Sequence, residues 1–417
     1  MSATAAAADP TPTPRFPPSS KFCVTGATGF VAQHIIRVLL SHDHSVVGTV
    51  RPSTLGSAEK MEPLKELQRA HPGRLEFVAS ELLTANSFDG AVEGCVGVFH
   101  TASPFVIETE NAEEDLLRPA VEGTLNVLSS AAGASTVERV VLTSSMAAMT
   151  DSPVNGHVYS EADWNTASSA TSMPYYASKT LAERAAWEFV GVVPEESEME
   201  SARNTEPFEL VTINPIAVVG RQDGARINES IDFLRQLIDG EVPAIVDMAL
   251  NFVDVRDVAE AHVAAMERAE AHGRYLLGTR SWSISQLVDL FGAKYPGHPH
   301  LPTRSLAGTC GSLLVRLSSY FQPRAIGQTI RHYLGRSAII DSSKAQADLG
   351  LSFFPPEASL LNAVESLRVQ SKLSHPIAHV VDNAEALEAV GLPLPPPSAW
   401  DEHENLPQSS YTTLHAT

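Results

Sequence analysis

FCVTGATGFVA, residues 22–32, joins a short apolar run to an amphipathic helical run through a turn that contains two glycines. A dinucleotide-binding motif requires this order of strand, glycine turn and helix. Gly26 permits the tight turn, Gly29 lets the backbone approach a pyrophosphate, and the small Ala32 lets the helix pack closely on the strand. The helix amino terminus beside the turn favours an anion. The predicted contacts of this phosphate-binding turn are Gly26, Thr28, Gly29, Phe30 and Val31.

The sequence after this stretch alternates β-branched runs with amphipathic helical runs. The strand-like runs are SVVGTV, LEFVAS, VGVFHTA, VVLTSS and FELVTINP. This alternation predicts an α/β fold, a Rossmann doubly wound parallel sheet, over residues 21–220. NFVDV and the helical RDVAEAHVAAMERA predict that residues 251–270 return to that domain. The irregular residues 221–250 and 271–375 are predicted to form a smaller C-terminal substrate-binding lobe.

The two ends of the chain have a composition that is typical of disorder. Residues 1–20 are mainly Ala, Pro, Thr and Ser, which cannot bury enough apolar surface to offset the ordering entropy. We expect a disordered tail there, with a short organelle transit peptide as the alternative. The acidic stretch 194–207 predicts an exposed loop, and the Pro-rich residues 376–417 predict a loosely ordered tail.

The composition narrows the class of partner. A net charge of −20 disfavours nucleic acid or an anionic membrane surface, since both are negatively charged. No apolar run reaches the roughly 18 residues of a membrane span. The three cysteines lie far apart and the histidines show no ligand spacing, so neither a metal site nor a disulfide framework is indicated. We expect a cytoplasmic protein with a small-molecule partner, and the oligomeric state stays open.

The residue after the second strand indicates which cofactor is preferred. NAD-preferring proteins carry an acidic residue there to hold the ribose hydroxyls, whereas SVVGTV is followed by Arg51. A guanidinium at this place suits a 2′-phosphate through paired hydrogen bonds. Lys60 adds a second charge if the intervening loop folds back. We therefore predict that the cofactor is NADP(H). The alternative is that Arg51 and Lys60 are ordinary solvated surface residues.

A tyrosine and a lysine with helical spacing predict proton transfer. Tyr175 and Lys179 are four residues apart in PYYASKTLAE, so both project from one helix face. An adjacent ammonium stabilises a phenolate, so we expect it to lower the tyrosine pKa. Ser145 follows the fifth strand, at the edge where parallel sheets bind ligands, and can hold a substrate oxygen. Ser144 and Tyr176 are the neighbouring alternatives.

These motifs together resemble the extended branch of the short-chain dehydrogenase/reductase superfamily, in particular its dihydroflavonol reductase and cinnamoyl-CoA reductase-like group. The resemblance covers about residues 21–375 and rests on VTGATGFVA, GTVRP, FHTASPF, PAVEGTLNVL, VVLTSS, YYASKTLAE, NPIAVVG and FVDVRDVAEAHV in that order. It implies that the catalytic residues are Ser145, Tyr175 and Lys179. The cofactor contacts that it implies are Arg51 and Lys60 at the 2′-phosphate, Glu81 and Leu82 near the adenine, Thr101, Ala102 and Ser103 near the nicotinamide ribose, and Pro215, Val218 and Ser230 near the nicotinamide, besides Tyr175 and Lys179.

The predicted function is an NADPH-dependent reductase that transfers a hydride to an aldehyde or ketone carbonyl. Thr150 stands where dihydroflavonol reductases usually carry Asn or Asp, and SMPYYASK differs from the tyrosine motif of cinnamoyl-CoA reductases. Both departures favour a general carbonyl substrate. The alternatives are a hydroxysteroid-type dehydrogenase, a nucleotide-sugar epimerase or dehydratase, and a non-catalytic NADP-sensing protein.

Overall fold

A seven-stranded parallel sheet forms the centre of the molecule. The structure is a computed structural model that describes residues 15–104, 109, 111–192, 207–222 and 227–377. The strand order is β3-β2-β1-β4-β5-β7-β10, which confirms the predicted Rossmann doubly wound sheet. The strands of this sheet are β1 (Lys21–Val24), β2 (Ser45–Val50), β3 (Leu75–Ala79), β4 (Gly97–His100), β5 (Arg139–Thr143), β7 (Glu209–Pro215) and β10 (Gly273–Leu277).

Helices cover both faces of this sheet. Apolar side chains of α1, α3 and α8 form one buried cluster with the strands, and those of α4, α5 and α6 form another on the opposite face. Two buried faces explain why the strands are continuous apolar runs instead of alternating ones. The helices of this part are α1 (Phe30–Ser41), α2 (Pro52–Leu55), α3 (Ala58–Ala70), α4 (Asp89–Val92), α5 (Arg118–Gly133), α6 (Pro174–Phe189) and α8 (Val255–Glu267).

A smaller lobe has its own core. It contains a three-stranded sheet in the order β11-β9-β8 and a cluster of buried side chains from α7, α9 and α13. Its strands are β8 (Ala217–Val219), β9 (Ala249–Asp254) and β11 (Ser281–Ser283), and a separate bridge pairs β6 (Val158–Tyr159) with β12 (Ile339–Ile340). The remaining helices are α7 (Glu229–Ile238), α9 (Ile284–Lys294), α10 (Thr309–Ser318), α11 (Arg324–Tyr333), α12 (Ser343–Leu349) and α13 (Pro356–Val369).

The structure divides the chain differently from the sequence-based boundaries at three strands. β8 was expected in the first domain, yet it pairs with β9 in the small sheet. β10 was expected in the substrate lobe, yet it pairs with β7 along its whole length and forms the edge of the main sheet. β9 was expected to return to the first domain, yet it pairs with β8 and β11 in the small sheet. Only helix α8, which follows β9, returns and packs on α1. A short apolar run does not reveal its partner strand, because pairing is decided by the tertiary contacts.

Residues 15–20 of the predicted disordered tail are folded in the structure. Phe16 is buried and packs edge-on against Phe22, with ring centroids 5.5 Å apart. Arg15 forms ion pairs with Glu138 and Glu209, so residues 15–20 belong to the folded domain. The rest of that tail, nearly all of the acidic stretch 194–207 and residues 378–417 lie outside the described residues. Among the helices that are described, none is long and apolar enough to cross a membrane.

Candidate active site

The glycine turn after β1 has the geometry that close approach of a phosphate needs. Gly26 has φ +68°, in the left-handed region, and a Cβ there would lie 3.1 Å from Ala102. The Gly29 amide donates to the Gly26 carbonyl at 2.8 Å, and α1 begins at the next residue. The turn therefore places backbone N–H groups at a helix amino terminus without a side chain in the way.

Thr25 connects this turn to the segment after β4. Its hydroxyl accepts hydrogen bonds from the amides of Thr101 and Ala102, at 3.1 and 3.0 Å. It also lies 2.9 Å from Nδ1 of the buried His100. The structure thus brings Thr101, Ala102 and the neighbouring Ser103 beside the glycine turn. Thr25 and His100 were not predicted, although both lie inside motifs quoted for the resemblance.

The other three residues of the predicted turn have separate packing roles. The Thr28 carbonyl accepts from the Gln33 side chain at 3.0 Å, which closes the turn onto α1. Val31 packs against the core of the main sheet. Phe30 packs against the core of the smaller lobe, so it joins the two parts of the molecule at the cofactor turn.

The end of β2 carries an exposed positive charge and no acidic side chain. Arg51 follows β2 directly, is exposed, and has no ion pair with a described residue. Lys60 lies in α3, one helix further, and is also exposed. The structure shows no contact between the two described side chains, so it does not itself group them as one phosphate site. The glycine cradle and the Arg51 guanidinium nevertheless fit a cofactor that carries a 2′-phosphate.

Glu81 and Leu82, which the resemblance places near the adenine, follow β3 in the chain. The Glu81 amide and carbonyl both bond the Ser87 hydroxyl, which shapes the loop. Leu82 packs on α5 at Gly123, where an added Cβ would lie 3.2 Å from the leucine side chain. An exchange of Gly123 for a larger residue would therefore displace this loop.

Ser145 and Tyr175 are brought together by elements that are distant in the chain. Ser145 follows β5, and its hydroxyl forms a side-chain hydrogen bond with the Tyr175 hydroxyl. The same hydroxyl lies 3.5 Å from the Pro215 carbonyl at the end of β7. The neighbouring alternatives make different contacts, because Ser144 donates to Glu183 at 2.5 Å and the Tyr176 hydroxyl lies 2.8 Å from that of Tyr333. The geometry therefore distinguishes Ser145 and Tyr175 from their neighbours.

The pKa of Tyr175 differs in direction from the expectation. Burial and the charge of Glu229 raise it to about 12, against a smaller lowering by the Ser145 hydrogen bond. Lys179 lies one helical turn further, and burial lowers the pKa of its own ammonium to about 8. Its charge also helps to lower the pKa of the nearby His100 to about 3, where burial is the main cause. Helical spacing does not reveal that burial is the main cause of both pKa shifts.

A buried charge network supports the serine and the tyrosine helix. Glu183, one turn beyond Lys179, accepts from Arg274 Nε at 2.7 Å and from Asn214 Nδ2 at 2.7 Å. Asn214 also donates to the Ser145 carbonyl at 3.3 Å. Arg274 lies on β10 and is fully buried, and its charge holds the pKa of Glu183 below its usual value despite burial. None of these three residues was predicted, although Glu183 and Asn214 stand in quoted motifs.

The remaining predicted residues lie at the entrance of the smaller lobe. Val218 is on β8, and its carbonyl accepts from Asn228 at 2.9 Å. Asn228 caps α7, whose second residue is Ser230, and the first residue, Glu229, is close enough to act on Tyr175. Pro215 ends β7 beside Ser145. These three residues therefore lie on the side of the site that faces the smaller lobe.

A second polar cluster adjoins the tyrosine helix and was not predicted. It consists of Tyr176, Tyr333, Asp151 and His332, which come from α6, α11 and the segment after Ser145. Asp151 Oδ2 and His332 Nδ1 are 3.9 Å apart, and neither atom has a hydrogen-bond partner among the described residues. Buried polar atoms without partners are rare, so this cluster is a place where a substrate hydroxyl could bind.

Comparison with known proteins agrees with this geometry. The NAD dependent epimerase/dehydratase family matches residues 22–278. Cinnamoyl-CoA reductase CAD2 of Medicago truncatula is 34% identical over 351 residues, which cover 83% of this chain and 95% of that protein. Tetraketide alpha-pyrone reductase 1 of Arabidopsis thaliana is 37% identical over 289 residues, 68% of this chain and 83% of the relative.

Solved structures of reductases share the fold of this chain. Yeast methylglyoxal/isovaleraldehyde reductase complexed with NADPH superposes with a TM-score of 0.67 at 28% identity, over 85% of this chain and all of the other. The match extends through both the main sheet and the smaller lobe. It confirms the fold and the resemblance that were predicted from the sequence. The chain therefore belongs to the NAD dependent epimerase/dehydratase family.

Proposed function

We propose that this protein is an NADPH-dependent reductase of aldehyde or ketone carbonyls, with Ser145, Tyr175 and Lys179 as its catalytic residues. The observation that carries the proposal is the hydrogen-bonded pair of Ser145 and Tyr175, with Lys179 one turn away. This group lies at the carboxyl edge of a parallel sheet, where such folds bind ligands. The glycine turn at Gly26 lies at the same edge.

Each residue has one role in this proposal. NADPH supplies the hydride when it is bound. The Ser145 hydroxyl holds the carbonyl oxygen, and the Tyr175 hydroxyl donates a proton to that oxygen. The Lys179 ammonium stabilises the phenolate that Tyr175 becomes. Arg51 binds the 2′-phosphate, with Lys60 as a weaker contributor because it lies one helix further.

The surroundings of Thr150 favour a general carbonyl substrate over a flavonoid. Its hydroxyl accepts from the Ser152 amide at 3.2 Å and from the Tyr159 hydroxyl at 3.3 Å. The Thr150 hydroxyl therefore forms hydrogen bonds within the protein and is not directed to a flavonoid ring. Several of the relatives are named as plant reductases of large aromatic substrates, and their specificity is not transferred to this chain.

A matched pair of tyrosine variants tests the assignment. We expect Tyr175→Phe to bind NADPH normally and to lose about 100-fold or more of kcat in NADPH oxidation, the scale of general acid catalysis. Tyr176→Phe is the control, because it removes the partly buried hydroxyl of the next residue of α6 but leaves the pair of Ser145 and Tyr175. The substrate panel consists of aldehydes, ketones, dihydroflavonols and hydroxycinnamoyl thioesters. Equal turnover of Tyr175→Phe and the wild type would refute the assignment.

The same assay separates a carbonyl reductase from the rival functions. A nucleotide-sugar epimerase regenerates its cofactor, so it would show no net NADPH consumption. A hydroxysteroid-type dehydrogenase would reduce NADP when supplied with an alcohol. A non-catalytic NADP sensor would bind NADPH without turnover on any member of the panel.

We further propose the cytoplasm as the compartment. The thiols of Cys23 and Cys95 are buried and free, as reducing conditions permit. Microscopy of a fluorescent fusion to the carboxyl terminus tests this, and import into an organelle would favour the transit-peptide alternative.

A further inference from the structure

Helix α10 and the turn after it expose an apolar surface to solvent. Six large apolar side chains of this surface are each more than half exposed. Phe321, in the turn between α10 and α11, is 90% exposed. On α10, three leucines at positions i, i+1 and i+4 share one face, while Val315 turns inward and is buried. We call this surface the α10–α11 face: Leu313, Leu314, Leu317, Tyr320, Phe321 and Ile326.

The charge around this face is opposite to that of the whole chain. Residues 290–340 contain six Lys or Arg and no Asp or Glu, in a chain of net charge −20. Arg316 and Arg324 are exposed beside the face, and neither forms an ion pair with a described residue. The Arg331 guanidinium lies 4.6 Å from the Tyr320 ring centroid and donates to the Ser319 carbonyl. The arginines thus flank the apolar side chains in a stretch of sequence that contains no acidic residue.

The exposed apolar side chains and the flanking arginines together indicate which kind of partner this face binds. Contiguous exposed apolar surface in a monomer marks an interaction site. A symmetric contact with a second copy would bring together two surfaces of the same positive charge, which like-charge repulsion disfavours. Apolar side chains flanked by arginines are the pattern that binds the interface of an anionic bilayer. At physiological salt, charges more than about 8 Å away are screened, so the local arginines outweigh the distant acidic residues.

We propose that the α10–α11 face docks on the surface of an anionic phospholipid bilayer. Leu317 and Phe321 enter the boundary between headgroups and acyl chains, and Arg316 and Arg324 pair with lipid phosphates. Phe321 is suited to insert first, because it lies at the turn between two helices and is the most exposed of these side chains. The proposal does not depend on the catalytic assignment, since none of these residues belongs to that site.

Vesicle binding of the full chain tests the proposal. We expect co-sedimentation with phosphatidylcholine vesicles that contain about one third phosphatidylserine, and much weaker binding to pure phosphatidylcholine. Arg316→Gln and Arg324→Gln should each weaken binding about fivefold. The double variant Leu317→Ser/Phe321→Ser should weaken it at least about tenfold. The matched control is Val154→Ser/Val369→Ser, which removes two exposed apolar side chains elsewhere and should bind like the wild type.

A fluorophore on Cys310 gives a second readout. Cys310 is exposed on α10, seven residues before Leu317, whereas Cys23 and Cys95 are buried, so a polarity-sensitive probe attaches selectively. We expect its emission to shift to the blue on adding phosphatidylserine vesicles. NADPH oxidation by all variants should stay unchanged in solution, which shows that they are folded.

Three results would overturn the proposal. The first is absence of binding to both kinds of vesicle. The second is equal binding by the wild type and the leucine–phenylalanine double variant. The third is a blue-shifted probe before vesicles are added, because it would show that another part of the chain, a second copy or another protein covers the face.

Discussion

At the residue scale, burial governs the groups that we assign to proton transfer. Tyr175 has a pKa raised to about 12 and Lys179 a pKa lowered to about 8. Both shifts favour the neutral form, since a low-dielectric surrounding penalises charge. The tyrosine is therefore a proton donor at neutral pH, and the lysine is the group that changes its charge in the accessible range.

The first prediction concerns pH. Because the proposed mechanism requires the Lys179 ammonium to stabilise the phenolate, kcat/KM for NADPH-dependent reduction should fall as pH rises through about 8. Tyr175 stays protonated in this range, so it does not cause the fall. In Lys179→Arg the guanidinium keeps its charge, and the fall should move to higher pH even if the rate is lower. If kcat/KM falls at the same pH in the wild type and in Lys179→Arg, the proposed role of Lys179 is contradicted.

The second prediction concerns cofactor choice. Arg51→Ala should weaken NADPH binding about 10- to 100-fold, the value of charge-assisted hydrogen bonds to a phosphate, and leave NADH binding unchanged. Fluorescence titration with both cofactors measures the two dissociation constants. Arg69→Ala on the nearby α3 is the control, because Arg69 is exposed and already paired with Glu62. If Arg51→Ala weakens both cofactors equally, the residue does not recognise the 2′-phosphate.

At the element scale, helix α6 presents three functional side chains at intervals of four residues. Tyr175, Lys179 and Glu183 lie on one face of the helix. Glu183 is buried and accepts hydrogen bonds from Thr212 on β7 and from Arg274 on β10. The helix begins at Pro174, whose missing N–H is not needed in the first turn. The helix face that carries Tyr175 and Lys179 is therefore positioned by the buried Glu183–Arg274 ion pair.

The third prediction tests that ion pair. Glu183→Gln leaves the Arg274 guanidinium buried without its carboxylate, so the free energy of unfolding should fall by about 3–5 kcal/mol. Urea denaturation measures this loss. Glu62→Gln is the control, because it breaks an exposed pair with Arg69 and should leave the urea midpoint unchanged. An unchanged midpoint in Glu183→Gln would show that the network does not hold α6 in place.

At the scale of the whole molecule, α6 of the nucleotide-binding part meets α11 of the smaller lobe. The hydroxyls of Tyr176 and Tyr333 join them at 2.8 Å, beside Asp151 and His332. Phe30 makes a second connection, from the cofactor turn to the core of the smaller lobe. The relative position of cofactor turn and lobe is thus set by side-chain contacts next to the site.

The fourth prediction compares two tyrosines, the half-buried Tyr333 and the buried Tyr295. Tyr333→Phe removes the hydrogen bond to Tyr176 and should lower the free energy of unfolding by about 1–2 kcal/mol. Tyr295→Phe should be neutral or stabilising, because the Tyr295 hydroxyl is buried and has no partner among the described residues. Thermal or urea denaturation of both variants measures the difference. Equal losses would mean that the Tyr176–Tyr333 contact does not stabilise the junction.

The local order of residues along the chain determined the nucleotide-binding half. Strand, glycine turn and helix are neighbours in sequence, so Gly26 and Gly29 could be identified, as could the helical spacing of Tyr175 and Lys179. The pairing of β10 with β7, the Glu183–Arg274 ion pair and the raised pKa of Tyr175 depend on contacts across 60 residues or more, or on burial. Periodicity carries no information on such contacts. Only the tertiary structure decided them, because pairing, desolvation and charge coupling arise when distant segments exclude water together.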